Sequence, residues 1–187
     1  MSTPKIDPEL VKNGDNRNVI DEYRNWTVEA IKNDMISKSF PLHIAIENIQ
    51  HDINIGSIIR SANAFNVAGV HIIGKKHWNR RGAMSTEKYL ELYYYKITDE
   101  FVNWSIQNNK VIIGIDNIEG SKDLSNYEFP KEIVLVFGQE GPGLSEDMQK
   151  HCKDILGIAQ YGSTRSVNVG VAAGIVLYEW TKQYKST

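Results

Sequence analysis

The chain has 187 residues, 41% hydrophobic and 24% charged, with a formal net charge of -2. That length suits one domain with a full core, and the near-balanced charge excludes capture of nucleic acid by bulk positive charge, so any basic surface is local. The single cysteine, Cys152, excludes an internal disulfide framework and points to a reducing compartment, so a cytoplasmic protein is expected. No apolar stretch is long enough for a membrane span, and Met1-Ser2-Thr3-Pro4 does not open a signal peptide. The five histidines and Cys152 show no metal-ligand spacing, so no metal is expected.

Residues 1–15 are polar and read as a mobile tail. Val19, Ile20, Tyr23, Trp26, Ala30 and Ile31 then recur at helical spacing, with Asp15 or Asn16 as the candidate N-cap. The polar side of that helix carries Arg17, Arg24 and Lys32. It serves as a packing element, or as an RNA-contacting or dimerising extension. We place this tail and helical extension at residues 1–40 and the main domain at 41–187. Leu42 to Ile46 reads as a short strand. Asn54 and Gly56 open a helix with Ile58, Ile59, Ala62 and Phe65 on its core face, and Arg60 is expected to share a side with Asn54. Val70 to Ile73 is the next strand. A strand–helix–strand unit points to a parallel sheet and an α/β fold.

Lys75, Lys76, Arg80 and Arg81, with Trp78 among them, form the densest basic cluster. Cations beside a stacking ring suit an RNA-binding loop, and also an ordinary solvated one. Leu92 to Tyr95 reads as a strand, Phe101 to Ile106 as a short amphipathic helix, and Val111 to Ile115 as a buried strand. Asp116 follows at its carboxyl end, where open α/β sheets bind ligands. Ser121 to Pro130 is a polar connection. Ile133 to Phe137 is the strongest buried strand, and it runs into Gly138-Gln139-Glu140-Gly141-Pro142-Gly143. Glycines there permit tight turns and close backbone approach to a ligand. The pattern is neither a dinucleotide fingerprint nor a P-loop. Ser145 is a plausible cap for a following helix.

After Ile158, a polar loop leads to Ser166 and Asn168, where a small-residue helix begins. Free N–H groups at a helix start hold polar ligands. The same two residues also suit a plain cap. The helix itself is apolar nearly all round and is expected to be buried.

Three stretches stand in order: N-I-G-S-I-I-R-S-A-N-A-F (54–65), V-F-G-Q-E-G-P-G-L (136–144) and S-V-N-V-G-V-A-A-G-I-V-L-Y-E (166–179). Together they resemble the three motifs of the SpoU (TrmH-like) RNA ribose 2′-O-methyltransferases of the SPOUT superfamily. The resemblance covers roughly residues 42–185. It implies a parallel sheet with helices on both faces and a C-terminal deep trefoil knot. It implies S-adenosylmethionine bound in that knot, mostly by backbone groups, here around Asp116, Gly138, Gln139, Gly141, Ile158, Ser166 and Val167. The catalytic motif residues fall on Asn54, Arg60, Glu140, Ser166 and Asn168. It further implies a homodimer and an RNA substrate, with tRNA favoured over rRNA because no separate RNA-binding domain precedes the main domain. A silent RNA-binding module of the same fold, or a base methylase, stays an alternative. Departures occur: Ile158-Ala159-Gln160 stands where the family often has Ile-Pro-Met, Ser166-Val167-Asn168 replaces Ser-Leu-Asn, and Phe65-Asn66 replaces Phe-Gly.

Overall fold

A computed structural model describes residues 5–47, 52–139 and 141–186. Its strands are β1 (Phe40–Glu47), β2 (Val67–Ile73), β3 (Leu92–Tyr95), β4 (Val111–Ile115), β5 (Lys122–Asp123), β6 (Ile133–Phe137) and β7 (Asp154–Gly157). They form one sheet in the order β3-β2-β1-β6-β4-β7-β5. Every pairing among them is parallel. A parallel sheet hides both faces, and β4 and β6 at its centre read as unbroken apolar runs for that reason. In β6 the period of two sorts side chains between the two sides. Ile133, Leu135 and Phe137 enter one core cluster, while Val134 and Val136 enter the other.

Helices α1 (Pro8–Asn13), α2 (Val28–Ser37), α3 (Asp52–Ala64), α4 (Thr98–Gln107), α5 (Glu146–His151) and α6 (Val169–Ser186) surround the sheet. α3 and α6 cover one face with Ile55, Ile58, Ile59, Ala173, Val176 and Trp180. α4 and α5 cover the other with Phe101, Val102 and Met148. Trp180 is 1% exposed, donates its indole N–H to the carbonyl of Pro130 at 3.4 Å, and stacks on Tyr184 at 4.7 Å. Burying such a side chain contributes roughly 1.5–3 kcal/mol, which ties the last helix to the sheet.

The N-terminal region departs from expectation in two places. Residues 5–15 are ordered rather than a loose tail. Asp7 caps α1 by accepting from the Glu9 amide at 3.0 Å, and Pro8 occupies the first helical turn. Thr27 N–H donates to the Lys5 carbonyl at 2.9 Å, and the Lys5 ammonium lies over the Trp26 ring. The single long helix expected from Val19 to Ile31 is instead a 3-10 turn at Asp21–Tyr23 followed by α2. Asn25 adopts a left-handed φ of 61° and breaks the helix. Asp15 then serves the Arg17 side chain and the Asn25 amide instead of a helix end, and Thr27 caps α2.

α6 is not buried all round. Ala173, Val176 and Leu177 are fully buried, but Val171, Ile175 and Tyr178 are 54%, 40% and 61% exposed. One apolar stripe of the helix therefore faces outward in the single chain. No helix of the described residues is long and apolar enough to cross a membrane.

Candidate active site

The carboxyl ends of β1, β6, β4 and β7 meet on one edge of the sheet, and a cleft opens there. The glycine turn after β6 forms one wall. Gln139 and Gly143 exchange two backbone hydrogen bonds at 2.9 Å, which folds the turn back on itself. A Cβ on Gly138 would sit 2.3 Å from the backbone of Gly143 and Leu144, so only glycine fits. Gly143 has a φ of 72°, and a Cβ there would meet the Asp116 carboxylate at 2.2 Å.

Two carboxylates tie this turn down. Asp116 accepts from the Leu144 amide at 2.8 Å. Glu47, 5% exposed at the end of β1, accepts from the Ser145 amide at 2.9 Å and from the Ser145 hydroxyl. Ser145 in turn caps α5 through the Met148 amide. Glu47 was not singled out from the sequence. Its signal is a lone carboxylate closing an apolar strand, which becomes meaningful only beside Ser145.

The opposite wall follows β7. Asn117 clamps Ile158 at both backbone groups, accepting its N–H at 2.8 Å and donating to its carbonyl at 3.0 Å. Asp116, Gly138, Gln139, Gly141, Ile158, Ser166 and Val167 all line the one cleft. The three loops singled out as cofactor-binding thus converge. Gln160 also lines it, and its Oε1 is buried with no hydrogen-bond partner among the described residues. Asn117 follows Asp116 at the end of β4 and Gln160 falls within the stretch from Ile158 to Val167, yet neither is among the residues singled out for the cofactor.

The motif residues are not all together. Asn168 Nδ2 donates to Asn54 Oδ1 at 2.9 Å, while its Oδ1 accepts from the Gly170 amide and caps α6. α3 and α6 approach closely here, since a Cβ on Gly170 would lie 3.1 Å from Ser57. Asn54 is 6% exposed, whereas Arg60 is exposed. The two do not share a side: six helical steps of about 100° leave them roughly 120° apart. Neither Arg60 nor Asn168 lines the cleft. Glu140 lies outside the described residues.

In the basic cluster, Lys75, Lys76, Arg80 and Arg81 are exposed, but Trp78 packs against the main core and is not the free stacking ring expected. The Lys76 ammonium lies over the Tyr94 ring at 4.7 Å. Burial pushes the Cys152 thiol up to about 12, which disfavours a reactive thiolate. A separate buried chain runs through the α4 side of the sheet. His71 lies 3.0 Å from His43 and 3.1 Å from the Tyr95 hydroxyl. Burial depresses both imidazoles, His43 to about 4 and His71 to about 2.

A wholly parallel α/β sheet with a cleft at its strand ends, walled by glycine turns and a helix start, defines a class of small-molecule-binding domains. Residues 41–178 match the SpoU rRNA Methylase family, and the chain belongs to that family. It is 32% identical over 149 residues to an uncharacterized tRNA/rRNA methyltransferase of Mycobacterium avium (strain 104), covering 76% of this chain and 47% of that protein. It spans about half the length of the curated relatives it matches. Among solved structures it is similar to the SpoU methyltransferase AviRb from Streptomyces viridochromogenes in complex with the cofactor AdoMet, with a TM-score of 0.73, 27% identity, and 79% of this chain and 59% of that one covered. The A. aeolicus TrmH/SpoU tRNA modifying enzyme shares the fold, with a TM-score of 0.76, 22% identity, and 85% and 83% covered.

Proposed function

We propose that this chain is an RNA ribose 2′-O-methyltransferase that uses S-adenosylmethionine and acts on tRNA. The observation that carries the reading is the convergence of the loops at Asp116, Gly138 and Ile158–Val167 on one cleft. The cleft suits that cofactor chemically. Apolar walls from Ile115, Phe137 and Val169 can enclose an adenine ring. Loop backbone offers polar contacts. The AviRb structure holds AdoMet on the same fold.

S-adenosylmethionine, when bound, supplies the methyl group. The chain must then bring a ribose hydroxyl to it and relieve that hydroxyl of its proton. In this reading Arg60 clamps a substrate phosphate and aligns the hydroxyl, or passes one of its own protons to that phosphate and takes the hydroxyl proton in its place. Asn54 and Asn168 fix α3 against α6, Ser166 shapes the pocket, and Glu140 holds the cofactor loop. Lys75, Lys76, Arg80 and Arg81 meet RNA phosphates. The chain beyond β7 forms the family's deep trefoil knot, a reading supported by the insertion of β7 between β4 and β5. The outward stripe of Val171, Ile175 and Tyr178 supports a homodimer, and the single cysteine suits the cytoplasm. Closed two-fold pairs are the commonest assembly.

The test is incubation with tRNA, and separately rRNA, and labelled S-adenosylmethionine, followed by nucleoside mass spectrometry. A 2′-O-methyl nucleoside in tRNA is expected. A methylated base, product in rRNA alone, or no transfer would each refute the corresponding part.

A further inference from the structure

A second concavity lies away from the cleft, between the N-terminal extension and the segment that follows the basic cluster. Arg17 forms one side, and Arg80, Arg81 and Lys88 the other, with Met84 and Ser85 at its floor. No carboxylate is among its described lining residues.

The four cations differ in kind. Arg17 is a wall rather than a free charge. Its Nε and Nη2 bond Asp15 at 2.9 and 2.7 Å, and Nη2 also donates to the Trp26 carbonyl. That guanidinium holds the Asp15 carboxyl well below the usual carboxylate range. By contrast, the charged heads of Arg80, Arg81 and Lys88 have no ion-pair or hydrogen-bond partner among the described residues. Three uncompensated cations in one concavity repel one another unless an anion joins them.

The backbone beneath them is strained and braced. Met84 and Ser85 are consecutive left-handed residues, with φ of 51° and 65°. Neither is a glycine, and such conformations persist only where the surroundings impose them. Here the bracing is visible. A Cβ on Gly56 would lie 2.7 Å from the Ala83 amide nitrogen, so α3 presses directly on the turn. Thr86 Oγ1 donates to the Ala83 carbonyl at 2.6 Å. The cations therefore sit on a rigid frame joined to the helix that carries Asn54 and Arg60.

We propose that this groove grips the phosphodiester backbone of the RNA substrate at a site separate from methyl transfer, with Arg80, Arg81 and Lys88 taking successive phosphates. The inference rests on the RNA reading above and deepens it. Arginine forks suit phosphate oxygens bidentately, and a lysine adds a point charge. The split is specific: Lys88 and the extension belong to the groove, whereas Lys76 is turned to Tyr94.

The test uses the full chain, fluorescently labelled total tRNA and rRNA, and titrations from about 50 to 200 mM salt, the range in which phosphate contacts are lost. The variant carries Arg80→Gln, Arg81→Gln and Lys88→Gln. We expect RNA affinity to fall at least about tenfold at low salt. The slope of log affinity against log salt should flatten by about two, since each lost phosphate contact on a single strand removes about 0.7. Calorimetric binding of S-adenosylhomocysteine should not change, and the melting temperature should hold or rise as the repulsion among the cations is removed. Equal affinity and slope in the variant would overturn the groove while leaving the RNA reading intact. A wild-type chain that binds neither RNA would overturn the RNA reading itself. Should the triple variant fold poorly, Lys88→Gln alone is expected to flatten the slope by about 0.7, and an unchanged slope counts against the groove. Wild-type binding to anionic lipid vesicles in place of RNA would also overturn it.

Discussion

Asn168 donates to Asn54 across 114 positions of sequence and, through the other end of the same amide, caps α6. One side chain thus fixes both where the last helix begins and how it meets α3. Asn168→Ala loses both contacts. A lost cap costs about 1 kcal/mol and a lost internal hydrogen bond about the same. For a domain of this size, that total lowers the melting temperature by about 4–8 °C. Asn168→Ser keeps a cap but does not reach Asn54, so about half that loss is expected. Equal melting temperatures for the two variants would show that the bridge to Asn54 carries no weight.

Arg60 is exposed on α3 and stands free of the cleft wall. Its proposed task needs only the substrate, not the cofactor. Arg60→Ala should therefore bind S-adenosylhomocysteine normally and lose about a hundredfold or more in methyl transfer. Arg60→Lys keeps the charge but not the fork, so partial recovery favours simple charge and none favours bidentate clamping. Near-normal turnover in Arg60→Ala would remove it from the mechanism.

Sequence periodicity located β4 and β6 because each is apolar over its whole length, as at Ile133–Phe137. It located the cleft loops because glycines and a strand end are local signals, as at Gly138 and Asp116. It failed where distant partners decide. Trp26 looked like part of one helical stripe, yet the left-handed Asn25 and the pairing with Ile6 break that helix. Trp78 looked exposed by its charged neighbours, yet packs inward. α6 looked buried because composition cannot tell which stripe a single chain leaves open.

Glu47 is the buried link between the first strand and the glycine turn. Removing it in Glu47→Ala strands the Ser145 amide, at a cost of about 1–3 kcal/mol. The turn should loosen, and S-adenosylhomocysteine should bind about tenfold more weakly by calorimetry. Glu47→Gln retains one acceptor and should fall between. Wild-type affinity in Glu47→Ala would mean that the turn holds its shape without this anchor.

The His43–His71 pair makes stability pH-dependent. Both folded-state values are depressed from 6.5 by burial, so below pH about 6.5 the unfolded chain binds protons that the folded one refuses. Stability is full above that pH and falls as pH drops toward 4, by up to about 1.4 kcal/mol per pH unit for each ring. Thermal melts between pH 7.5 and about 4.5 should show that decline. The slope should flatten in His43→Leu with His71→Leu. An unchanged slope would place the titration elsewhere.

Gln160 separates folding from binding. Its Oε1 is buried in the cleft wall with no donor among the described residues, an arrangement that costs the folded chain about 1–3 kcal/mol. The oxygen is closed off from the cleft, so a ligand N–H reaches it only once the side chain turns inward; S-adenosylhomocysteine has two such donors, the adenine amine and the α-ammonium. Gln160→Met keeps the volume and removes the acceptor. The free protein should then melt higher, by about 2–4 °C for each kcal/mol recovered, while S-adenosylhomocysteine affinity drops about tenfold, the equivalent of about 1.4 kcal/mol. Analogues lacking one amine or the other identify the partner, since the matching analogue binds wild type and Gln160→Met alike. Higher stability with undiminished affinity would show that the orphaned oxygen meets no part of the ligand.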